Sequence, residues 1–435
     1  MGCGKTLTAI AVMGAAYQAG KLRRVLVVAP TSVCSVWPME LEECAAFPHR
    51  EAVLLGTKAK RLKALESLKG EDALLVAVIN YESVWRDDIL DSIKAWGPDM
   101  VIADESQRIK DHKARQAMAM HELGDLARYK LILSGTPVQN NVVDLFSQYR
   151  FLDQSVFGSN FYAFRERYCV MGGFNRKQIV KYKHIDDLIQ REHSIAYRVT
   201  KAEALDLPEQ TFETRLVPLS DKARKLYDQL RREGYAELDG GGEITAATVL
   251  AKLLRLQQFT GGFLQPDGGG PPQYMFPGKI EALEDILEDY VIGAGKKLVI
   301  FCRFRNEIEL IRDLLFRKGL KYGCIYGDVK QEDRGDIVRE FQEDPETMAF
   351  LAQIDTAGLG ITLTAADTCV YYSLTFNYGA YSQSLARIHR IGQKHPCTYI
   401  HLMAEKTVDG MVMKALEKKE DLAKTVVDDW RKYFE

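Results

Sequence analysis

The chain has 435 residues, of which 46% are hydrophobic and 27% charged, with a formal net charge of -2. That length and apolar content suit two or three ordinary globular domains and exclude a disordered or fibrous chain. The near-zero charge excludes a protein basic throughout, so any polyanion must be met by local patches.

No apolar run reaches the length of a membrane-spanning helix, and the amino terminus has no secretory pattern. The eight cysteines (Cys3, Cys34, Cys44, Cys169, Cys302, Cys324, Cys369 and Cys397) are scattered and form no C-x-x-C pair. That spacing argues against a zinc site and for buried free thiols in a reducing compartment. The location expected is cytoplasmic, in a bacterial or phage-infected cell, or nuclear if the source is eukaryotic.

In chain order, Met1-Gly2-Cys3-Gly4-Lys5-Thr6 comes first, followed by a helix-like run from Leu7 to Ala16. Glycines that let backbone N–H groups turn inward, then a lysine and a hydroxyl, suit a phosphate-binding loop at a helix N-terminus. Taken alone the hexapeptide fits an accidental glycine-rich start equally well. Apolar runs then recur at Val25–Ala29, Ala73–Ile79, Met100–Ala103 and Leu131–Leu133, separated by helical stretches. Continuous apolar strands of this kind predict a parallel sheet buried on both faces. Each ends in polar residues: Pro30-Thr31-Ser32, Asn80-Tyr81, Asp104-Glu105 and Ser134-Gly135-Thr136. Ligands bind at the carboxyl ends of parallel strands, so these groups point to one shared site.

From about Val142 to Tyr274 strand signals fade and aromatic-rich helical stretches dominate, broken at Gly240–Gly242 and Pro266–Pro272. Strand-like runs then return at Leu298–Cys302, Tyr322–Tyr326, Met348–Leu351, Thr368–Tyr372 and Thr398–Leu402, after an amphipathic helix marked by Ile280, Leu283, Leu287 and Tyr290. The expected organisation is α/β throughout: a domain over 1–153, helical insertions and a linker over 154–275, and a second domain over 276–435.

Asp104-Glu105 at a strand end suits Mg-nucleotide hydrolysis, Asp104 holding Mg²⁺ and Glu105 acting as general base; a solvated acidic helix start is the competing reading. Arg387 and Arg390, three apart, share a face if helical, and suit a γ-phosphate better than a merely solvated basic face. Gly358-Leu-Gly360 suits close backbone approach to phosphate, or a simple helix-entry turn.

These pieces, in this order, resemble the motif series of the SNF-type helicase-like ATPases of helicase superfamily two. MGCGKT (1–6), VLVVAPTSVCSVWPMEL (25–41), VAVINYESV (76–84), ADESQRIKD (103–111), LILSGTPVQNNVVDLF (131–146), KLVIFCRF (297–304), AGLGITLTAAD (357–367) and QSLARIHRIGQ (383–393) carry the resemblance. It implies two RecA-like parallel-sheet domains of the P-loop NTPase type, joined by a helical insertion and closing on ATP and Mg²⁺, with double-stranded DNA across both. It implies a DNA-stimulated motor that translocates on duplex without necessarily unwinding it. A strand-separating helicase and a non-catalytic DNA-binding module are the alternatives, the latter because the strand expected before the phosphate loop is missing and the chain looks truncated there.

By the same resemblance Gly2, Gly4, Lys5, Thr6 and Gly360 bind nucleotide. Thr6 and Asp104 hold Mg²⁺. Glu105, Gln383, Arg387 and Arg390 are catalytic. Gln107, Ser134 and Thr136 couple hydrolysis to DNA, and Thr31, Ser32, Asn80, Tyr81, Thr362 and Thr364 lie near its backbone. Ser106-Gln107 replaces the usual Ala-His, and Gln107 is expected to bond across the cleft. Asp355 stands where many relatives carry arginine, and Ala386 replaces an acidic residue. Lys58, Lys60, Arg61 and Lys63, and Arg176, Lys177, Lys181 and Lys183, are basic patches open either to DNA or to solvent.

Overall fold

The computed structural model describes residues 3–70, 72–172, 178–239, 246–266, 270–355 and 361–423. The chain divides at Ala204/Leu205 into two compact units, the second running to Lys418.

The first unit holds a five-stranded sheet in the order β2-β3-β1-β4-β5, built from β1 (Arg24–Ala29), β2 (His49–Leu54), β3 (Leu74–Asn80), β4 (Met100–Asp104) and β5 (Tyr129–Leu133). Every pairing is parallel. The central strands β1, β3 and β4 are buried along almost their whole length because helices cover both faces. Alternation sorts their side chains: Val25, Val27 and Ala29 pack with Ala9, Ile10, Met13, Trp37 and Leu41 on one face. Leu26 and Val28 face the other way, onto Leu65, Ile89, Ile93, Met120 and Leu123.

Helix α1 (Lys5–Gln18) follows the phosphate-loop sequence directly. It starts at Gly4, whose φ of 75° lies in the left-handed region that glycine enters without strain. It ends in paired bonds, Gly20 N–H to Tyr17 O at 2.9 Å and Lys21 N–H to Ala16 O at 2.9 Å. That is the C-terminal stop a left-handed glycine allows.

Between Asp144 and His193 an aromatic cluster of Phe146, Tyr149, Phe164 and Tyr168 holds short helices together. Beside it stands a hairpin of β6 (Cys169–Gly172) and β7 (Gln178–Tyr182).

The second unit holds a six-stranded parallel sheet in the order β12-β13-β11-β14-β15-β8. Its strands are β8 (Gln210–Val217), β11 (Leu298–Cys302), β12 (Lys321–Ile325), β13 (Thr347–Gln353), β14 (Thr368–Tyr371) and β15 (Cys397–Ala404); β9 (Phe263–Leu264) and β10 (Gln273–Tyr274) form a separate small hairpin. Strand β8 lies inside the segment expected to be helical. It pairs with β15 through eight residues, from Gln210↔Cys397 to Val217↔Ala404. Its outer positions are polar or exposed, Phe212 and Leu216 among them, so it lacks the unbroken apolar run that marks the central strands. The segment 154–275 accordingly divides, its early helices lying in the first unit and β8 and the helices Asp221–Asp239 and Ala246–Thr260 in the second.

A buried ion pair ties the second unit together. Lys279 Nζ lies 2.7 Å from Asp409 Oδ2, with side chains only 1% and 8% exposed. Thr260 Oγ1 donates to Asp409 Oδ1 at 2.9 Å, Ala404 N–H to Asp409 Oδ2 at 2.9 Å, and Lys279 Nζ also donates to the Tyr372 carbonyl at 3.1 Å. Removing one member leaves the other charge buried and unpaired. Lys279→Ala is therefore expected to cost about 3 kcal/mol or more of the stability of this unit. Denaturant unfolding of the variant checks this; a loss below about 1 kcal/mol would show that the pair is dispensable.

Candidate functional site

The polar strand ends of the first sheet do meet. Strand β4 ends at Asp104, 5% exposed, and the next residue, Glu105, takes a left-handed backbone with φ 50° and ψ 54°. This turn ends the strand and starts the short 3-10 helix Ser106–Ile109. It costs a non-glycine residue some energy and is tolerated where the surroundings fix it, which is common at functional sites.

Asp104 is held on three sides. The indole of Trp37 donates to Oδ2 at 3.1 Å and the Glu105 N–H to Oδ1 at 2.9 Å. The Tyr81 hydroxyl donates to the Asp104 main-chain carbonyl at 2.8 Å. Burial, with the neighbouring Glu105 charge, pushes the Asp104 carboxyl up to about 6, against the pull of Lys5.

From Glu105 a line of contacts leads outward in two directions. Lys5 Nζ lies 3.9 Å from Glu105 Oε1, so the loop lysine and the second acidic residue share one spot. On the other side, Gln107 Nε2 donates to Glu105 Oε2 at 2.5 Å. Ser134 Oγ donates to Gln107 Oε1 at 2.7 Å, and Thr136 N–H donates to Ser134 Oγ at 3.1 Å. The donors and acceptors fix the amide orientation of Gln107, because a carboxylate only accepts. Gln107, expected to bond across the cleft, thus spends both amide groups inside the first unit. Thr136 Oγ1 is buried and has no hydrogen-bond partner among the described residues. Thr6 sits half-buried in the first turn of α1.

The residues expected near a nucleic-acid backbone fall into two groups. Thr31 and Asn80 meet at the same sheet edge, Asn80 Nδ2 donating to Thr31 Oγ1 at 3.0 Å. Ser32 is half-buried in the next turn. Tyr81 is different: it is 1% exposed and its hydroxyl is spent on the Asp104 carbonyl, so it supports the carboxylate corner and presents nothing outward. Arg61, expected in a basic surface patch, is 7% exposed and donates to Leu54 O, Gly56 O and Asn80 Oδ1.

In the second unit the helix Tyr378–Leu385 stops before the arginines. Arg387 and Arg390 lie in the turns that follow, not on one helical face. They converge all the same, with Nη1 of each donating to the Ile361 carbonyl, at 3.4 and 3.2 Å. Leu363 N–H returns a bond to Arg387 O at 2.9 Å. Gln393 closes the loop from inside, its Nε2 donating to Ala366 O at 2.9 Å and Ile388 O at 3.1 Å. Burial pulls the Arg390 guanidinium below its ordinary value, and among the described residues it has no carboxylate partner. Gln383 is half-buried on the helix before them. Thr362 is half-buried, and Thr364 Oγ1 accepts from Gln342 Nε2 at 3.1 Å. Gly2 and Gly360, and Arg176 and Lys177 of the second basic patch, lie outside the described residues.

Several contributors carry no sequence signal of their own. Trp37 is one of two buried residues in a short helix that also carries three glutamates, and only the fold shows its indole on Asp104. Glu82 and Arg108 face the Thr31–Asn80 pair, as developed below. Gln342 belongs to a charged helix 22 positions from the threonine it holds.

The donor set around Asp104 fits a hard divalent cation. A buried carboxylate disfavours its own charge and a second carboxylate adjoins it, both oxygen ligands of the kind Mg²⁺ takes.

A model of the SNF2-related domain matches residues 1–261, and one of the helicase conserved C-terminal domain matches 278–392. A chromodomain-helicase-DNA-binding protein 1-like of Danio rerio is 26% identical over 445 residues, 99% of this chain and 42% of its own length. An uncharacterised ATP-dependent helicase of Mycoplasma genitalium is 26% identical over 433 residues, 99% of this chain and 40% of its own. The chain thus spans well under half the length of these relatives. A solved SWI2/SNF2 ATPase core of Sulfolobus solfataricus in complex with dsDNA is 26% identical, with a TM-score of 0.42, covering 98% of this chain and 87% of that one.

The raised Asp104 value gives a pH signature in the ligand-free protein. Its folded value of about 6 lies above the ordinary 3.8, so the folded state binds the proton more tightly. The stabilisation from protonation is complete below about pH 4 and lost as pH rises through about 6. Asp104→Asn removes that loss, and its stability relative to the native chain should rise between pH 4 and 7 by up to about 3 kcal/mol. Denaturation midpoints across that range check this, and parallel profiles would rule it out.

Proposed function

The chain belongs to the SNF2-related helicase-like ATPases, and from that premise we propose that it is an ATP-dependent, DNA-stimulated motor that translocates along double-stranded DNA. The single observation that carries this reading is the unbroken line from Lys5 through Glu105, Gln107 and Ser134 to the Thr136 main chain. A phosphate-loop lysine wired to a strand-end loop is what transmission of a nucleotide state requires. An inert binding module has no use for it.

In this reading Gly2, Gly4, Lys5 and Gly360 contact the nucleotide phosphates. Gln107 occupies Glu105 Oε2, so Oε1, on the Lys5 side, is the oxygen that takes the proton from the attacking water. Thr6 and Asp104 are the residues that would hold Mg²⁺, which when bound neutralises charge developing on the terminal phosphates. Arg387 and Arg390, converging on one carbonyl, and Gln383 beside them serve the γ-phosphate; two guanidiniums brought together at one carbonyl concentrate positive charge suited to an anion. Thr31, Ser32, Asn80, Thr362 and Thr364 supply backbone contacts to the duplex, which carry no base information.

Steady-state ATPase assays with added duplex test the proposal. Duplex is expected to raise turnover, and Lys5→Ala and Glu105→Gln to lower kcat by about a hundredfold or more. Triplex displacement should be ATP-dependent while a forked duplex stays paired. Turnover indifferent to Glu105→Gln would sink the assignment, and strand separation without triplex displacement would favour an unwinding helicase.

A further inference from the structure

Donors from three elements converge on one carboxylate at the carboxyl edge of the first sheet. Thr31 Oγ1, just beyond β1, donates to Glu82 Oε2 at 3.1 Å. Asn80 Nδ2, at the end of β3, donates to the same oxygen at 2.9 Å. Arg108 Nη1, in the turn after β4, lies 3.9 Å from the other oxygen, Oε1.

One of these donors is aimed from behind. Asn80 is 5% exposed, and its amide oxygen accepts from Arg61 Nη1 at 2.9 Å. Arginine only donates, so the Asn80 NH₂ must face the other way, toward Thr31 and Glu82. Arg61 is pinned in turn on Leu54 O at 2.8 Å and Gly56 O at 2.9 Å. A buried cation thus fixes a buried amide that points at an exposed acid.

The acid itself does not account for this arrangement. The Glu82 and Arg108 side chains are 54% and 55% exposed. An ion pair so exposed is worth little to the fold. The order is in the donors; the acceptor is the loose part. A hydroxyl, an amide and a guanidinium set around two oxygens of one anion suit a phosphodiester as well as a carboxylate.

We propose that Thr31, Asn80 and Arg108 form a phosphate-binding site for the nucleic-acid backbone, and that Glu82 fills it in the resting protein as an internal stand-in for that phosphate. This rests on the proposed DNA-dependent function and adds two residues to it. Arg108 becomes a backbone contact. Glu82 becomes the residue that sets how weakly that contact is held, since an arriving phosphate must displace it and stay near its charge. A translocating motor must release each phosphate as readily as it takes it, and a tethered competitor provides that release.

Binding of a labelled duplex, followed by fluorescence anisotropy over a range of salt, tests this. Glu82→Ala is expected to bind about fivefold to tenfold more tightly, the scale of removing one like charge beside a phosphate. Glu82→Gln keeps an acceptor for Thr31 and Asn80 and loses the charge, and should share most of the gain. Arg108→Gln should bind more weakly, with a salt slope shallower by about one. Adding Arg108→Gln to Glu82→Ala should erase most of the gain. Thermal unfolding of each variant confirms that the fold is intact.

Wild-type binding with no gain in either Glu82 variant would overturn this inference alone. A gain toward an acidic peptide or free phosphate without one toward duplex would overturn it in favour of that ligand. No duplex binding by any form would remove the DNA-dependent function, and the inference with it.

Discussion

Gln107 joins two strand ends that the sheet alone leaves separate. Its amide nitrogen donates to Glu105 at 2.5 Å and its amide oxygen accepts from Ser134 at 2.7 Å. The second contact cannot form unless β4 and β5 are adjacent and in register, as Asp104↔Leu133 places them. Nor can either form unless the chain turns sharply at Glu105, which the left-handed backbone there accomplishes. The buried parallel sheet therefore sets the chemistry: it fixes where Asp104 stops, and everything outward of Asp104 is aimed from that point.

That dependence explains the polar groups the fold keeps in its interior. An unpaired buried acid is costly, and Asp104 is tolerated because Trp37 and the Glu105 N–H satisfy it. Arg61 is tolerated because it caps carbonyls at two bends and orients Asn80. In the second unit the Lys279–Asp409 pair and its hydroxyl and backbone donors join the helices at Ala246–Thr260 and Gly278–Ile286 to the start of the helix Val408–Ala423. The arginine loop is held in the same manner, by carbonyl and amide bonds through Ile361, Leu363 and Gln393. Both units spend buried polar bonds on fixing where their loops and helices lie.

Much of this was legible in the sequence because parallel strands buried on both faces leave unbroken apolar runs. Val25–Ala29, Ala73–Ile79 and Met100–Ala103 announced β1, β3 and β4 and the polar residues at their ends. The thermodynamics of one-sided elements is quieter: β8 faces solvent with Phe212 and Leu216, so its pattern merged with the helical stretches around it. Spacing misled at Arg387 and Arg390. Three residues apart suggests one helical face, yet turns deliver the same convergence once the helix stops at Leu385. Tyr81 follows a strand end, where an outward-facing group was expected, but its ring is core and its hydroxyl serves Asp104. The roles of Trp37, Glu82 and Arg108 come from contacts 67, 51 and 26 positions distant, which no local pattern encodes.

The central claim is that Glu105, Gln107 and Ser134 act as one connected unit. A double-mutant cycle of Gln107→Ala and Ser134→Ala on kcat for ATP in the presence of duplex DNA tests it most directly. Connected residues lose the same function once: each single variant should slow turnover, with KM for ATP nearly unchanged, and the double variant should be scarcely slower than either. That corresponds to a coupling energy of about 1 kcal/mol or more. Effects that simply add, with coupling near zero, would contradict the account.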